Sequence, residues 1–369
     1  MEWSNQKPAE LVNHIEVLID KRTIGKIALT SNQLCAFEYD GKWLEDGYSI
    51  SPFELPLERG VKISRAMPFD GGFGVFDDSL PDGWGLIILD RYLRLHNINP
   101  NELTILDRLS LVGKNGRGAL EFIPDNSVKT DYNSMTIEDM ATEVGILLGS
   151  NNDYTSANLD TLYHQGGSPG GARPKVFIHY NDNEWLVKFP AKEDSVNIGK
   201  EEYEYSLLAK KCGIEMPDTH LFDNKYFGVK RFDRDSNGNK YHVASAAGLL
   251  CADYRIPSID YLHLMALCRS LTNSELDMWK LYRVAAFNYV IENKDDHAKN
   301  FSFIVCDGSW HFAPAYDILP SYGMNGYHTT TYNNSIIPTD DDVIAVAVKS
   351  GLDKKKAIEV LNEIKSESR

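Results

Sequence analysis

The sequence predicts an α+β protein: a small N-terminal α/β domain, then a β-rich lobe, then a mainly α-helical lobe. Three observations carry this. Residues 14 to 40 alternate with strand period, as HIEVLID, GKIALT and LCAFEYD, and end at the turn pair Asp40-Gly41. Further on, VFIHY and EWLVKF flank an NDN turn, and THLFD and YFGVKRF make a second strand pair. After about residue 245 the period turns helical, in YLHLMALCRSL and SELDMWKLYRVAAFNYVIEN. The second of these opens on a capping-box pattern, Ser274 at the N-cap and Asp277 at the third helical position.

The connecting segments complete the outline. SPFELPLERG is turn-rich, and FDGGFGVFDDSLPDGWGLIILDRYLRL becomes helical from about Trp84 to Leu95. Gly83 and Gly85 beside Trp84 mark a close backbone approach, read here as packing rather than chemistry. Residues 125 to 160 are polar and rich in Asn, Ser and Asp apart from one helix, MTIEDMATEVGILLG, so a domain junction falls there. GKEEYEYSLLAKKCGI is an amphipathic helix closed by Gly213. The expected domains are 1–124, 125–233 and 234–369.

Composition narrows the function classes. The chain has 369 residues, 43% apolar and 25% charged, ample for two or three cores. Its net charge of −15 argues against direct binding of nucleic acid, which needs a basic face, so any DNA contact would come through a partner. The five cysteines are scattered and form no CxxC pair, which predicts reduced thiols rather than a disulfide or zinc framework. MEWSNQKPAE lacks the basic and apolar regions of a signal peptide, and no apolar run reaches the roughly 18 residues that span a membrane. A cytoplasmic protein is expected.

The chemistry concentrates in ENKDDHAKNFSF, residues 292 to 303. After Asn300 the chain alternates as two strands around Asp307-Gly308, a turn pair that fixes hairpin register. Extended, that register sets Asn300 opposite Ala315 and brings Asp317 beside it. Asp295 lies five residues upstream, at the exit of a long helix. Asn300 and Asp317 are then two hard oxygen ligands suited to Mg²⁺, and Asp295 is a separate carboxylate able to take a proton from an attacking hydroxyl. The spacing is similar to that of a protein-kinase catalytic loop.

A phosphate-transferring site also needs a phosphate cradle and a cation. HQGGSPGGARPKVFIHY brings Gly166, Gly167, Gly170 and Gly171 together before a strand, where backbone N–H groups can wrap phosphate oxygens. Lys188, in WLVKFP, lies on the next strand among apolar residues and needs a partner. Glu202 in the following helix is one candidate, with Glu201 and Glu204 as alternatives. A β-rich lobe followed by a helical one suits a two-lobed nucleotide-binding enzyme.

Together FDDSLPDGWG, GGSPGGARPK, VKFP, VKRFDR, KDDHAKNFSF and PAYDILPS resemble the HipA-type serine/threonine kinases, toxins of bacterial toxin–antitoxin modules. The resemblance covers nearly the whole chain in the family's order. It implies a two-lobed protein-kinase-like fold behind a small N-terminal domain, with ATP and Mg²⁺ as cofactors. It implies Asp295 as catalytic base, His297 in support of the catalytic loop, and Asn300 and Asp317 as Mg²⁺ ligands. Lys188 matches the ATP-phosphate lysine. Gly170, Gly171, Ala172 and Arg173 match the loop over the nucleotide, and Lys230, Arg231, Phe232 and Asp233 the hinge beside the adenine. Ser168 matches a loop serine whose autophosphorylation ejects the loop and shuts the kinase off. Implied partners are a protein substrate, in known cases an aminoacyl-tRNA synthetase, and a small helix-turn-helix antitoxin that carries the DNA contact.

Two other readings compete. A metal-dependent phosphohydrolase would use Asp295, Asp296, His297 and Asp317, but His242, His263 and His311 show no metal spacing. A catalytically silent, kinase-shaped partner of a DNA-binding antitoxin would bind nucleotide without transfer, although every expected catalytic position is filled.

Overall fold

The structure, a computed structural model, describes residues 12–127, 135–149, 159, 162–163, 171–323 and 325–369. The chain divides into two compact units: Met1–Tyr48 with Leu57–Ser195, and Ser49–Pro56 with Val196–Arg369. This division separates the two strand pairs near residue 195, whereas the sequence expectation cuts after 124 and after 233.

In the first unit, β1 (His14–Ile19), β2 (Arg22–Leu29), β3 (Cys35–Tyr39), β4 (Lys62–Ile63) and β5 (Glu121–Ile123) form an antiparallel sheet in the order β4-β3-β2-β1-β5. The period-2 pattern read from the sequence buries Ile15 and Val17 on β1 and Phe37 on β3, while on β2 a bulge breaks the period and both Ile24 and Ile27 are buried. Phe76 bridges Phe37 and Phe122, with ring centroids at 5.5 and 6.3 Å. The helix expected from Trp84 runs Gly83–Leu95. A second helix, Ile105–Val112, starts at a full capping box of Thr104 and Asp107. β6 (Lys175–Tyr180) and β7 (Asn183–Lys188) make the predicted hairpin, with Asn181 and Asp182 left-handed at its turn.

The second unit begins with the helix Ile198–Lys211 and the hairpin of β8 (Thr219–Phe222) and β9 (Tyr226–Lys230). β10 (Val243–Ser245) leads to β11 (Ile259–Asp260) and the helices Tyr261–Thr272 and Glu275–Val290. As expected, Ser274 Oγ accepts the Asp277 N–H. β12 (Ser302–Cys306) and β13 (Ser309–Phe312) pair around Asp307-Gly308 and add to β10 in the order β10-β12-β13. β14 (Thr330–Thr331) runs parallel to β11. The helices Asp340–Lys349 and Lys354–Glu367 close the chain. Tyr261, Tyr282, Phe287 and Tyr332 have no exposed surface and form the centre of this core. Among the described residues no helix is long and apolar enough to cross a membrane.

The hairpin register is the one predicted, Phe303 opposite Phe312 through Cys306 opposite Ser309. Its extension to Asn300 is not observed. After one more bond, Ala313 N–H to Ser302 carbonyl at 2.9 Å, the chains part. Ala298–Asn300 turns as a 3-10 helix, and Ala315 donates its N–H to the Glu215 carbonyl at 2.8 Å. A 3-10 turn spends its backbone groups locally and cannot continue a ladder.

Candidate active site

The loop between Glu275–Val290 and β12 is held by side chains rather than by sheet. Past the helix, Glu292 is left-handed, and buried Asn293 donates from Nδ2 to Asn288 Oδ1 at 3.0 Å and to the Asp317 carbonyl at 3.4 Å. Asn293 also bridges in parallel to Ser321. Tyr316 donates its hydroxyl to the Lys299 carbonyl at 2.7 Å and lies 2.5 Å from Ser302 Oγ. Asp317 is therefore tethered to the loop on both sides, by its own carbonyl and by its neighbour's hydroxyl. Its φ of 58° is a left-handed conformation that Asp tolerates better than most residues. So Asp317 approaches the loop, but through Tyr316 and Asn293 rather than through hairpin register.

Asp295 is exposed, while its backbone carbonyl accepts the Asn300 Nδ2 bond at 2.8 Å. That bond closes the five-residue spacing into a loop and leaves the Asn300 Oδ1 for a cation. His297 is half-buried, with its ring 5.8 Å from Tyr254 and its Nδ1 buried without a hydrogen-bond partner. Lys299 Nζ sits 4.1 Å from the centre of the same Tyr254 ring, a cation–π contact.

Asp296, one residue from Asp295, has no exposed surface. Its carboxylate accepts from Tyr261 Oη at 3.0 Å, His328 Nδ1 at 2.9 Å, Thr329 N–H at 2.9 Å and Thr330 N–H at 3.1 Å. The Thr330 hydroxyl donates to the Asp296 carbonyl. Burial, then the Asp296 charge, push the Tyr261 hydroxyl well above its ordinary pKa, so it remains a donor. A carboxylate with its lone pairs taken in this way is a structural hub, not a metal ligand, which removes a member of the phosphohydrolase set. Sequence reasoning missed this role. His328 and the threonines lie more than thirty residues downstream, and no local pattern couples them to Asp296.

The glycine-rich segment is described from Gly171 onward. Ser168 and Gly170, with Gly166 and Gly167, lie outside the described residues. Ala172 is exposed, and Arg173 pairs with Asp194 through Nε at 3.0 Å and Nη2 at 3.1 Å. Burial alone would raise the Asp194 carboxyl, but the Arg173 bonds and charge with the Ala191 N–H hold it below the ordinary range. Gly171, expected to offer its N–H to phosphate, gives it to the Asp82 carboxylate instead.

Lys188 is buried to 9% exposure on β7, not solvent-facing. Directly opposite stands Lys175, 6% exposed, on the same face of the hairpin. The NDN turn sets that pairing, so Lys175 was findable from register once the hairpin was read. In the second unit, Glu202 is buried, while Glu201 and Glu204 are exposed, which separates the three candidates. At the expected hinge, Arg231 holds Asp233 with two bonds at 2.9 and 2.7 Å, and Arg234 adds one at 3.1 Å. One carboxylate is thus shared between two guanidinium groups. Phe232 stacks on Tyr316 at 5.9 Å, and Lys230 donates its N–H to the Asp218 carbonyl.

Comparison with known proteins decides the family. The family model of the HipA N-terminal domain matches residues 15–123, and that of the HipA-like C-terminal domain matches residues 167–369. The chain belongs to the HipA family. The Sinorhizobium fredii protein Y4dM is 25% identical over 203 residues, 48% of this chain. The chain spans only 49% of that relative's length. The serine/threonine-protein kinase toxin HipA of Shewanella oneidensis is 21% identical over 345 residues, 83% of this chain and 74% of that one. A solved complex of Shewanella oneidensis HipA with HipB and its operator DNA matches with a TM-score of 0.71 at 17% identity, covering 95% of this chain and 88% of that one. The chain thus has the HipA fold, kinase-like in class, as expected from the sequence.

Proposed function

We propose that this HipA-family chain is an ATP- and Mg²⁺-dependent serine/threonine protein kinase, the toxin of a toxin–antitoxin pair acting in the cytoplasm. The observation that carries the reading is the loop closed by Asn300 on the Asp295 carbonyl, with Asp295 exposed and Asp317 tethered alongside. Asp295 is the group to accept the hydroxyl proton of a protein substrate. Mg²⁺, held through Asn300 and Asp317, would neutralise charge on the transferring phosphate. The oxygen donors fit that ion, since magnesium takes one or two protein oxygens and leaves the rest to phosphate and water. Lys188, with Lys175 on the same face, supplies ammonium charge for nucleotide phosphates, and buried Glu202 is the helix carboxylate of the family pattern.

The HipA of Shewanella oneidensis was solved with HipB and operator DNA. By analogy a small DNA-binding antitoxin is the partner here, and the net charge of −15 leaves the DNA contact to it. Autophosphorylation at Ser168 would switch the enzyme off, because nearly two added negative charges repel nucleotide phosphates. The test is incubation of the purified chain with Mg²⁺ and γ-labelled ATP. Label on Ser168 or on an added protein, lost in Asp295→Ala, supports the kinase. Free phosphate released from a generic phosphate ester would favour a hydrolase. ATP retained without transfer would favour a silent partner.

A further inference from the structure

The helix Gly83–Leu95 is N-capped by Asp82, whose side chain does not cap its own helix. An N-cap Asp ordinarily accepts the N–H two or three residues on. Here the carboxylate accepts the N–H of Gly171, 89 residues away. The exchange is reciprocal. Trp84, whose N–H is among the orphan donors of the helix start, gives it to the Gly171 carbonyl at 3.0 Å. Both polar groups of Gly171 are thus taken by one helix terminus. The positive end of a helix dipole steadies a carboxylate at this position.

The backbone geometry is specific to the arrangement. Gly83 has φ of 46°, and a Cβ there would lie 2.5 Å from the Gly171 carbonyl oxygen. Gly171 has φ of 95°, and a Cβ there would lie 2.6 Å from Lys175 Nζ. Two glycines meet with no side chain between them, and the amino group of Lys175 packs against the second. The close approach read at Gly83 is packing against the end of the glycine-rich segment.

We propose that Asp82 is a positioning residue that clamps Gly171, the C-terminal end of the glycine-rich segment, and so sets the Lys175 ammonium for nucleotide phosphates. This assigns the N-terminal domain a part in ATP binding, and its nucleotide arm rests on the kinase reading. Asp82 itself touches no substrate.

Two readouts test it on the full chain. In Asp82→Ala, amide exchange at Gly171 speeds by about tenfold or more, the loss of one charge-assisted hydrogen bond, while the amides of β1 and β2 keep their protection. In the same variant KM for ATP rises roughly tenfold with kcat at saturating ATP within about twofold, as expected for lost positioning of the ground-state nucleotide. Asp82→Asn, which keeps an acceptor oxygen, returns most of both effects. Unchanged exchange at Gly171 in Asp82→Ala overturns the clamp. A fall in kcat with KM unmoved, or an Asn variant as impaired as the Ala variant, overturns the positioning role. A wild-type chain that binds no ATP sinks the kinase reading separately, and the exchange result still decides the clamp.

Discussion

Two carboxylates organise two loops, and they do so in opposite ways. Asp296 is fully buried and takes four donors from two separate segments, Tyr261 and the stretch His328, Thr329 and Thr330, so the loop around it is over-determined. Asp82 is half-buried and reaches the amide of an exposed glycine. The first arrangement ties loop geometry to global stability, because unmaking it strands buried donors. The second ties it to a reciprocal pair of bonds at one helix terminus, of which the carboxylate's can be lost while the core stays intact. Rigid support suits the loop that carries the proposed catalytic carboxylate, and a light tether suits a segment proposed to meet nucleotide.

The contrast is sharpest between neighbours. Asp295→Asn should lower phosphoryl transfer by about 10³-fold, the usual range for a general base, with an unmoved urea midpoint because the side chain is exposed. A transfer rate near wild type would remove Asp295 from the chemistry. Asp296→Ala should instead cost about 3 kcal/mol of unfolding free energy, since Tyr261, His328 and two backbone N–H groups lose their acceptor. Equilibrium urea unfolding measures it, and a change below about 1 kcal/mol would break the comparison.

Acid should act on the second unit through another buried group. Burial drives the His242 pKa down from 6.5 to about 4, opposed by the hydrogen bond its Nε2 makes with the Ile50 carbonyl at 2.8 Å. The folded state therefore binds fewer protons than the unfolded state between these values. Stability is full above about pH 6.5 and falls as pH drops toward 4, by at most roughly 2 to 3 kcal/mol from this residue. Unfolding at pH 7.5 and pH 5 checks the sign, and His242→Gln should flatten that slope. The smallest effect belongs to a single cap: Ser274→Ala removes the acceptor for the Asp277 N–H and should cost about 1 kcal/mol by thermal melting.

Much of this was legible locally. Asp307-Gly308 announced a hairpin and its register, Ser274 announced the start of the long helix, and period-2 alternation marked β1 to β3. The five-residue interval from Asp295 to Asn300 closed as a loop on its own hydrogen bond. Where local reading was carried past its range it failed. The hairpin stopped before Asn300 because a 3-10 turn intervened, and Asp317 reached the loop by a tyrosine hydroxyl instead.

By itself, then, the sequence determined periodicity, turns, caps and short-range spacing, because these depend on backbone geometry within a few residues. Only the tertiary structure decided which of two adjacent aspartates is buried, which of three glutamates faces inward, and which helix terminus consumes the amide of Gly171. Those outcomes rest on partners tens of residues apart, and burial and hydrogen-bond competition are settled only when the chain has closed around them.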